Sequence, residues 1–440
     1  MSKNGCLRVR AEGRVMQQSP VVDIRRSRFT VKLSRVVRAS WILVVLSLVM
    51  NGLLRWLTSN YVGAFFVYID KYVMIATIIL CLFHIKTSRQ QYSVIILSII
   101  LFVFMFTGTL YSGNLAQHIF ALWVYLPIIF AAMTFPFLGL DSRVRSAAIW
   151  LSFLVALGVF LNSFLELPWS GHIFEIGDHE IASARLWWAT GDVERLSGFS
   201  RASFEAAAQL AVLALIYHAL SRPRIAYELA YFFFIAYAIF LTTTKRVLFA
   251  YLACFLLIVV GRNIKLAVCA AFLRAGVLVA GLIGAIAPIF TVFVGRLAFS
   301  EDTVLRTLGA RFSHTWPQAL ATVSEDWMAI LGRGLGGVGT ASLVYAPSEY
   351  ILTDSMFVHM FGIGGIVGGL LYVAFFSRIA TILPDSEKRN VLLLGAASVF
   401  LFMTGIVANN LQSGTYGLLV GALYSAFFAP KSRLAHPHPI

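Results

Sequence analysis

Apolar runs of about 17 to 25 residues recur along almost the whole chain, and each is long enough to cross a hydrocarbon layer of roughly 30 Å as a helix. The runs are continuous rather than alternating, which excludes a closed β-barrel. Of the 440 residues, 59% are hydrophobic and only 12% charged, against roughly 25% charged in soluble domains. With a mean hydropathy of +0.82, the surplus of apolar surface cannot be hidden in a water-soluble core. The fold class that follows is an all-α polytopic membrane protein.

The runs predict about twelve transmembrane helices, near 40–57, 62–83, 92–111, 115–138, 147–167, 204–221, 225–242, 247–260, 266–293, 355–378, 390–409 and 415–429. Residues 1–39 carry ten Lys or Arg against Glu12 and Asp23, about half of the net charge of +15. A basic tail beside a first membrane helix is an orientation signal that also meets anionic headgroups, so a nucleic-acid partner is not implied. Its composition is that of a disordered segment. The first apolar run lies far from Met1 and no small-residue cleavage site follows it, so no cleavable signal peptide is expected. With the N-terminus cytoplasmic, the even-numbered connections are short and basic: Lys86 and Arg89, Arg143 and Arg145, Arg222 and Arg224, Arg262 and Lys265, then Arg378, Lys388 and Arg389. Both ends then lie inside, with a membrane domain over 40–429 and a cytoplasmic tail over 430–440. Two outward connections are long, near 168–203 and 294–354, and sites are expected there. Cys6, Cys81, Cys254 and Cys269 form neither a disulfide framework nor a metal-ligand spacing, so no structural metal is expected.

Outward cations run against the positive-inside bias and need a reason. They are Arg195, Arg201, Lys245, Arg246, Arg296, Arg306, Arg311 and Arg333, and together they point to an anionic ligand. Lys245 and Arg246 follow Thr242-Thr243-Thr244 between two apolar helices, where almost no loop lifts them from lipid; such charges face a wet cavity, a protein interior or the headgroups. Paired guanidinium groups suit a diphosphate, because the planar fork meets phosphate oxygens bidentately. The glycine run Leu331-Gly332-Arg333-Gly334-Leu335-Gly336-Gly337 has the look of a phosphate loop. No strand precedes it, however, so it reads as a turn that approaches a ligand or another segment closely. Asp354, within Thr353-Asp354-Ser355, is either the N-cap of the tenth helix or a carboxylate base at the membrane surface. His359 lies one turn deeper and reads as a packing residue or a second base; His314 is a weaker rival.

These segments, in this order, resemble the O-antigen ligase and polymerase superfamily, which includes the Wzy-type polymerases of lipid-linked glycans. Arg195-Leu196-Ser197-Gly198-Phe199 is similar to the family's Arg-x-x-Gly approach to a helix, and Thr244-Lys245-Arg246 to its Thr/Ser-x-Arg turn. The stretch from Arg311 through Trp316 to Gly336, with Thr353-Asp354 and Gly362-Ile363-Gly364-Gly365, is similar to its large periplasmic loop and following helix. The resemblance implies a bacterial inner-membrane glycosyltransferase working at the periplasmic face without metal or cofactor, by inverting transfer. A polyprenyl-diphosphate-linked glycan would be donor and the terminal hydroxyl of a lipid-linked repeat unit acceptor. Arg195, Arg201, Lys245, Arg246, Arg311 and Arg333 would bind substrate diphosphate, and Asp354 or His359 would handle the acceptor proton. A chain-length regulator and a flippase of the same pathway are the implied protein partners. Ligases of the superfamily carry a His-Asn pair where this chain has Thr353-Asp354, which favours polymerase over a ligase. A polytopic transporter is the reading from another class, and the absence of an internal repeat weighs against it.

Overall fold

The computed structural model describes residues 24–83, 88–176, 179–186, 193–294, 306–323, 327–382 and 387–428. Its first half runs α1 (Ile24–Val49), α2 (Asn51–Leu57), α3 (Ile69–Leu82), α4 (Ser88–Ser112), α5 (Leu115–Leu138) and α6 (Ser142–Phe164). A small antiparallel hairpin follows, β1 (Ile173–Ile176) with β2 (His179–Ala182), Phe174 opposite Ile181. Then come α7 (Ser203–Leu220), α8 (Ile225–Leu241), α9 (Lys245–Asn263) and α10 (Leu266–Val294). Four short helices lie in the second long connection: α11 (Arg306–Ala310), α12 (Trp316–Val323), α13 (Met328–Leu331) and α14 (Thr340–Tyr345). Three helices end the chain, α15 (Met356–Ile382), α16 (Lys388–Gly405) and α17 (Gly414–Phe428).

Every apolar run expected from the sequence is helical. Among the described residues, eight helices are long and apolar enough to cross a membrane, or nine if α1 and α2, bent by 80° at their junction, form one broken span. The remaining three are α8 and α17, with 17 and 15 residues, and α16, whose first turn is Lys388-Arg389-Asn390. The chain is a multi-pass helical membrane protein.

The first helix differs from the expected boundary. It begins at Ile24, not near residue 40, so part of the basic tail is helix. The reason is a buried stripe at helical spacing, Leu33, Val37, Ser40, Val44 and Leu48, which continues the apolar face backwards beneath the charges. Residues 1–23 and 429–440 lie outside the described residues.

The centre of the bundle is α7 and α16. In α7, Ala206, Ala207, Ala208, Ala211 and Ala214 are fully buried, and α16 is buried from Val391 through Phe402. Within a bilayer, water release does not drive helices together, so small residues that allow close approach do the work. Where α17 lies along α5, a methyl added at Gly421 would sit 2.2 Å from the Ile128 carbonyl oxygen. The outer faces are apolar and uncovered, as lipid contact requires: Ile95, Ile99, Phe102 and Phe106 on α4, and Phe272, Val279, Ile283 and Ile286 on α10, are exposed at helical spacing.

Antiparallel traversal sorts the connections to two ends. One end collects the short basic turns, and several of those cations are structural. Arg38 meets Asp141 at 3.0 Å. Arg262 Nη1 lies 2.7 Å from both Glu228 oxygens, and His218 Nδ1 lies 3.1 Å from Glu228 Oε1. Lys388 Nζ donates to the Arg262 and Ile264 carbonyls at 2.8 and 2.6 Å, satisfying the carbonyls that the end of α9 leaves open. The other end gathers the α1–α2 bend, the α8–α9 turn, the α16–α17 connection and both long connections.

Candidate functional site

Two tight turns deliver arginines to the loop-bearing end. The Arg195–Gly198 turn is wedged against α6: Asn162 Oδ1 accepts from the Ser197 and Gly198 amides at 3.2 and 3.1 Å, and Trp169 Nε1 donates to the Gly198 carbonyl at 2.8 Å. Gly198 has φ +59°, and a Cβ there would lie 2.6 Å from the backbone of Gly158 and Val159. Only glycine fits, so the glycine of the Arg-x-x-Gly pattern fixes the height at which Arg195 stands. The second turn, Thr242–Thr244, joins α8 to α9 and holds Thr243 at φ +57°. A β-branched residue in that region costs about 1–2 kcal/mol, and the Thr243 hydroxyl is buried without a partner. This strained link sets Arg246 in the first turn of α9, with Nη1 donating to the Val407 carbonyl at 3.3 Å.

A third arginine arrives from the second long connection. Arg311 Nη2 lies 3.3 Å from Asp354 Oδ2, both side chains being partly exposed, and Arg311 Nη1 donates to the Thr307 carbonyl at 3.1 Å. Such a partly exposed pair adds little stability. Arg246 is within electrostatic reach of Arg195, Arg311, Asp354 and Tyr416. Three guanidinium groups from three separate segments, those of Arg195, Arg246 and Arg311, thus gather at Arg246, and among the described residues the carboxylate in reach of Arg246 is that of Asp354. Arg195, Arg246 and Arg311 each keep a buried Nε with no hydrogen-bond partner. Arg262, at the opposite end, has an unfilled Nε too, but Glu228 already neutralises it. Among the described residues, Arg195, Arg246 and Arg311 outnumber the carboxylate beside them.

Beside the cluster, further buried polar atoms lack partners: Ser355 Oγ, Asn410 Oδ1 and Ser413 Oγ. Buried polar atoms are normally satisfied, so a group of orphans next to unpaired cations marks a place where a polar ligand would complete the bonding. The α16–α17 connection was not anticipated as part of the site. Its signal in the sequence is the polar run Asn409-Asn410-Leu411-Gln412-Ser413 between two apolar helices. Tyr350 also borders the site; burial first, and then the Asp354 carboxylate, raise its pKa above the ordinary value, while Arg185 opposes the rise. It remains a neutral hydroxyl able to donate.

The other expected residues stand elsewhere. Asp354 does not act as a simple cap, since its carboxylate turns to Arg311. His359 is fully buried with both ring nitrogens taken: Nε2 lies 2.5 Å from the Tyr125 hydroxyl and Nδ1 2.8 Å from Thr353 Oγ1. Tyr125 is also bonded to Gln412, whose Oε1 accepts from the Thr340 amide and hydroxyl at 3.0 Å. This chain of bonds ties α5, α14, the start of α15 and the α16–α17 connection together, and through Thr353 it holds the backbone next to Asp354. Lys245 is exposed, about 100° round the helix from Arg246. His314 is exposed and lines a cavity of about 790 Å³ with Phe357 and Phe361. Arg201 belongs to a separate group of charges. Arg296 lies outside the described residues, as does the side chain of Arg306.

Arg333 is also apart, only 8% exposed, with its guanidinium 5.3 Å from the centre of the Tyr111 ring. The glycine run that carries it is a backbone clasp. Arg333 N donates to Gly362 O and Gly334 N to Ile363 O, both at 2.9 Å, and Leu335 N donates to Phe104 O at 2.8 Å. His118 Nδ1 meets the Leu335 carbonyl and Gln117 Nε2 donates to Gly336 O at 2.8 Å. The run therefore packs its backbone closely against three helices, α4, α5 and α15. Helix α15 breaks at Gly365 (φ 55°, ψ −140°) to receive it.

Comparison of the chain with protein-family models, with curated proteins and with solved structures finds no match in any of the three. Among the described residues no group of His, Cys, Asp and Glu could hold a metal ion.

Proposed function

We propose that this chain is a polymerase of lipid-linked oligosaccharide repeat units, acting at the outer face of a bacterial inner membrane. The observation that carries the reading is the convergence of Arg195, Arg311 and Asp354 on Arg246 at the loop-bearing end, with buried donors left open. An excess of arginine over carboxylate matches a diphosphate, and fixed guanidinium groups stabilise charge that develops on a leaving group without reorganising. The acceptor hydroxyl attacks the anomeric carbon of the donor glycan as the bond from that carbon to the diphosphate oxygen breaks. The hydroxyl proton passes to Asp354, the electron pair stays on the departing polyprenyl diphosphate, and the configuration inverts. Tyr350 and the orphaned polar atoms around Ser355 and Asn410 orient sugar hydroxyls.

In this reading the twelve helices all span, the bent α1–α2 pair counting as one, and both termini are cytoplasmic. The short basic turns then face the cytoplasm, in keeping with the positive-inside rule. The testing experiment is the size distribution of surface glycan and of its lipid-linked precursors in a strain lacking the chain. Accumulation of single repeat units without long polymer supports the proposal. Normal polymer retained on its lipid carrier would make the protein a ligase, and repeat units trapped on the cytoplasmic face would make it a flippase.

A further inference from the structure

A second cation cluster lies beside the first, built on the break in the first span. The bend between α1 and α2 exposes the last carbonyls of α1, and neighbours satisfy them: Ser200 Oγ donates to Val49 O at 3.2 Å and Gln209 Nε2 to Leu48 O at 2.9 Å. The Gly52 amide donates to Phe199 O at 2.8 Å. These bonds press α2 against residues 199–201. Arg55 on α2 consequently comes within electrostatic reach of Arg201, Asp70 and Glu205. The Arg185 amide donates to Arg201 O at 2.8 Å, bringing a third arginine, and Lys71 feels the same charges. Among the described residues, Arg55, Lys71 and Arg201 share two carboxylates, Asp70 and Glu205, and Arg185 stands alongside Arg201 and Glu205.

Arg55 is the decisive residue. It is only 7% exposed, yet its Nε and Nη1 are buried without a hydrogen-bond partner. Its guanidinium rests 5.8 Å from the centre of the Tyr68 ring, which leaves those N–H groups open. A buried cation beside other cations is costly unless an anion completes it. The chain between α2 and α3 offers that anion an apolar neighbour: Tyr61, Val62, Phe65 and Phe66 are 74%, 61%, 68% and 46% exposed. An exposed apolar segment at a bend near the membrane surface suits contact with an acyl or isoprenoid chain. Tyr350, within reach of both Arg185 and Asp354, stands between the two clusters.

We propose that Arg55, Lys71, Arg185 and Arg201 form a second subsite for a phosphoryl anion, which holds the diphosphate headgroup of the lipid-linked acceptor while the first cluster holds that of the donor. The inference rests on the polymerase reading for the acceptor's identity. The subsite itself requires only a lipid-borne or free phosphate or diphosphate. Two headgroups held side by side would set which glycan end meets which diphosphate.

The test counts bound radiolabelled farnesyl diphosphate on the purified full-length chain in lipid nanodiscs. Wild type is expected to bind two per chain and Arg55→Gln one, the lost site weakening by roughly 10- to 100-fold, as for loss of a charge-assisted bond. Arg246→Gln should likewise retain one, the site removed being the other. Lys71→Gln, at a partly exposed position, should weaken the same site as Arg55→Gln and guards against misfolding in the Arg55 variant. Two full sites remaining in both Arg55→Gln and Lys71→Gln would overturn the inference. A single wild-type site lost only in Arg246→Gln would also overturn it while leaving the donor cluster intact. A site lost in Arg55→Gln with none lost in Arg246→Gln would support the subsite and defeat the donor assignment instead. Competition by inorganic diphosphate separates the sources: displacement roughly tenfold or more weaker than that by farnesyl diphosphate marks a lipid ligand, and equal displacement marks recognition of the free anion.

Discussion

Replacing Gly334 by alanine tests how the glycine clasp supports the site. Gly334 has φ +76°, and an added Cβ would lie 2.1 Å from Gly108 N and 2.2 Å from Gly108 Cα. Both contacts are with backbone, which cannot swing aside. Gly113 is the matched control, at φ +67° with nothing within 4 Å of an added Cβ. Alanine at Gly113 should cost only the left-handed conformation, about 1–2 kcal/mol. Alanine at Gly334 should cost that plus overpacking of about 1–3 kcal/mol, so the pair should differ by about 1–3 kcal/mol. Because Gly334 N is bonded to Ile363 O on α15, the displacement would pass to the helix start that carries Asp354. Thermal unfolding of the purified chain in detergent, with polymer yield in cells, reads both effects. Equal melting temperatures for the two variants, or normal polymer from Gly334→Ala, would refute the clasp.

Three further outcomes follow from the geometry. Arg246→Ala should lower polymer formation by about 10²- to 10³-fold, the usual loss for a transition-state donor, with Arg246→Lys in between because it keeps the charge but not the fork; wild-type activity in the Lys variant would contradict the diphosphate contact. His359→Ala should lower melting temperature and activity together, since Tyr125 and Thr353 each lose a partner at about 1–3 kcal/mol per buried group; a stable but inactive variant would instead make His359 a base. Glu228→Ala should destabilise by about 3–5 kcal/mol by stranding Arg262, and Glu228→Met with Arg262→Met should recover much of it, as read by melting temperature.

The helices were legible because membrane spans are written in long apolar runs, and each of the expected runs is helical among the described residues. The start of α1 was not, because the buried stripe Leu33-Val37-Ser40 is sparse and the charges over it dominate a composition reading. Arg195, Arg246, Arg311 and Asp354 were legible as charges in or beside the connections that the positive-inside pattern assigns outward, and the chain brings Arg195, Arg311 and Asp354 within reach of Arg246. The packing role of the glycine run that carries Arg333 was hidden for a physical reason: a glycine run that approaches another backbone has the same composition as one that approaches a phosphate. Arg55 escaped notice because it sits at the end of an apolar run, where a cation reads as snorkelling, and only the 80° bend turns it inward; Lys71 was hidden beside Asp70 within the next run. Asn410 and Ser413 were hidden by the shortness of their connection, since attention falls on long loops.

The central claim is that this chain alone joins lipid-linked repeat units, and reconstitution tests it most directly. The purified protein in liposomes would be given polyprenyl-diphosphate-linked repeat units, and both glycan length and free polyprenyl diphosphate would be followed. The account predicts a ladder of lengthening glycans, one polyprenyl diphosphate released per linkage formed, persistence of the ladder in EDTA, and its loss in Arg246→Ala and Asp354→Asn. Single repeat units left unjoined by a folded, correctly inserted wild-type protein would contradict it.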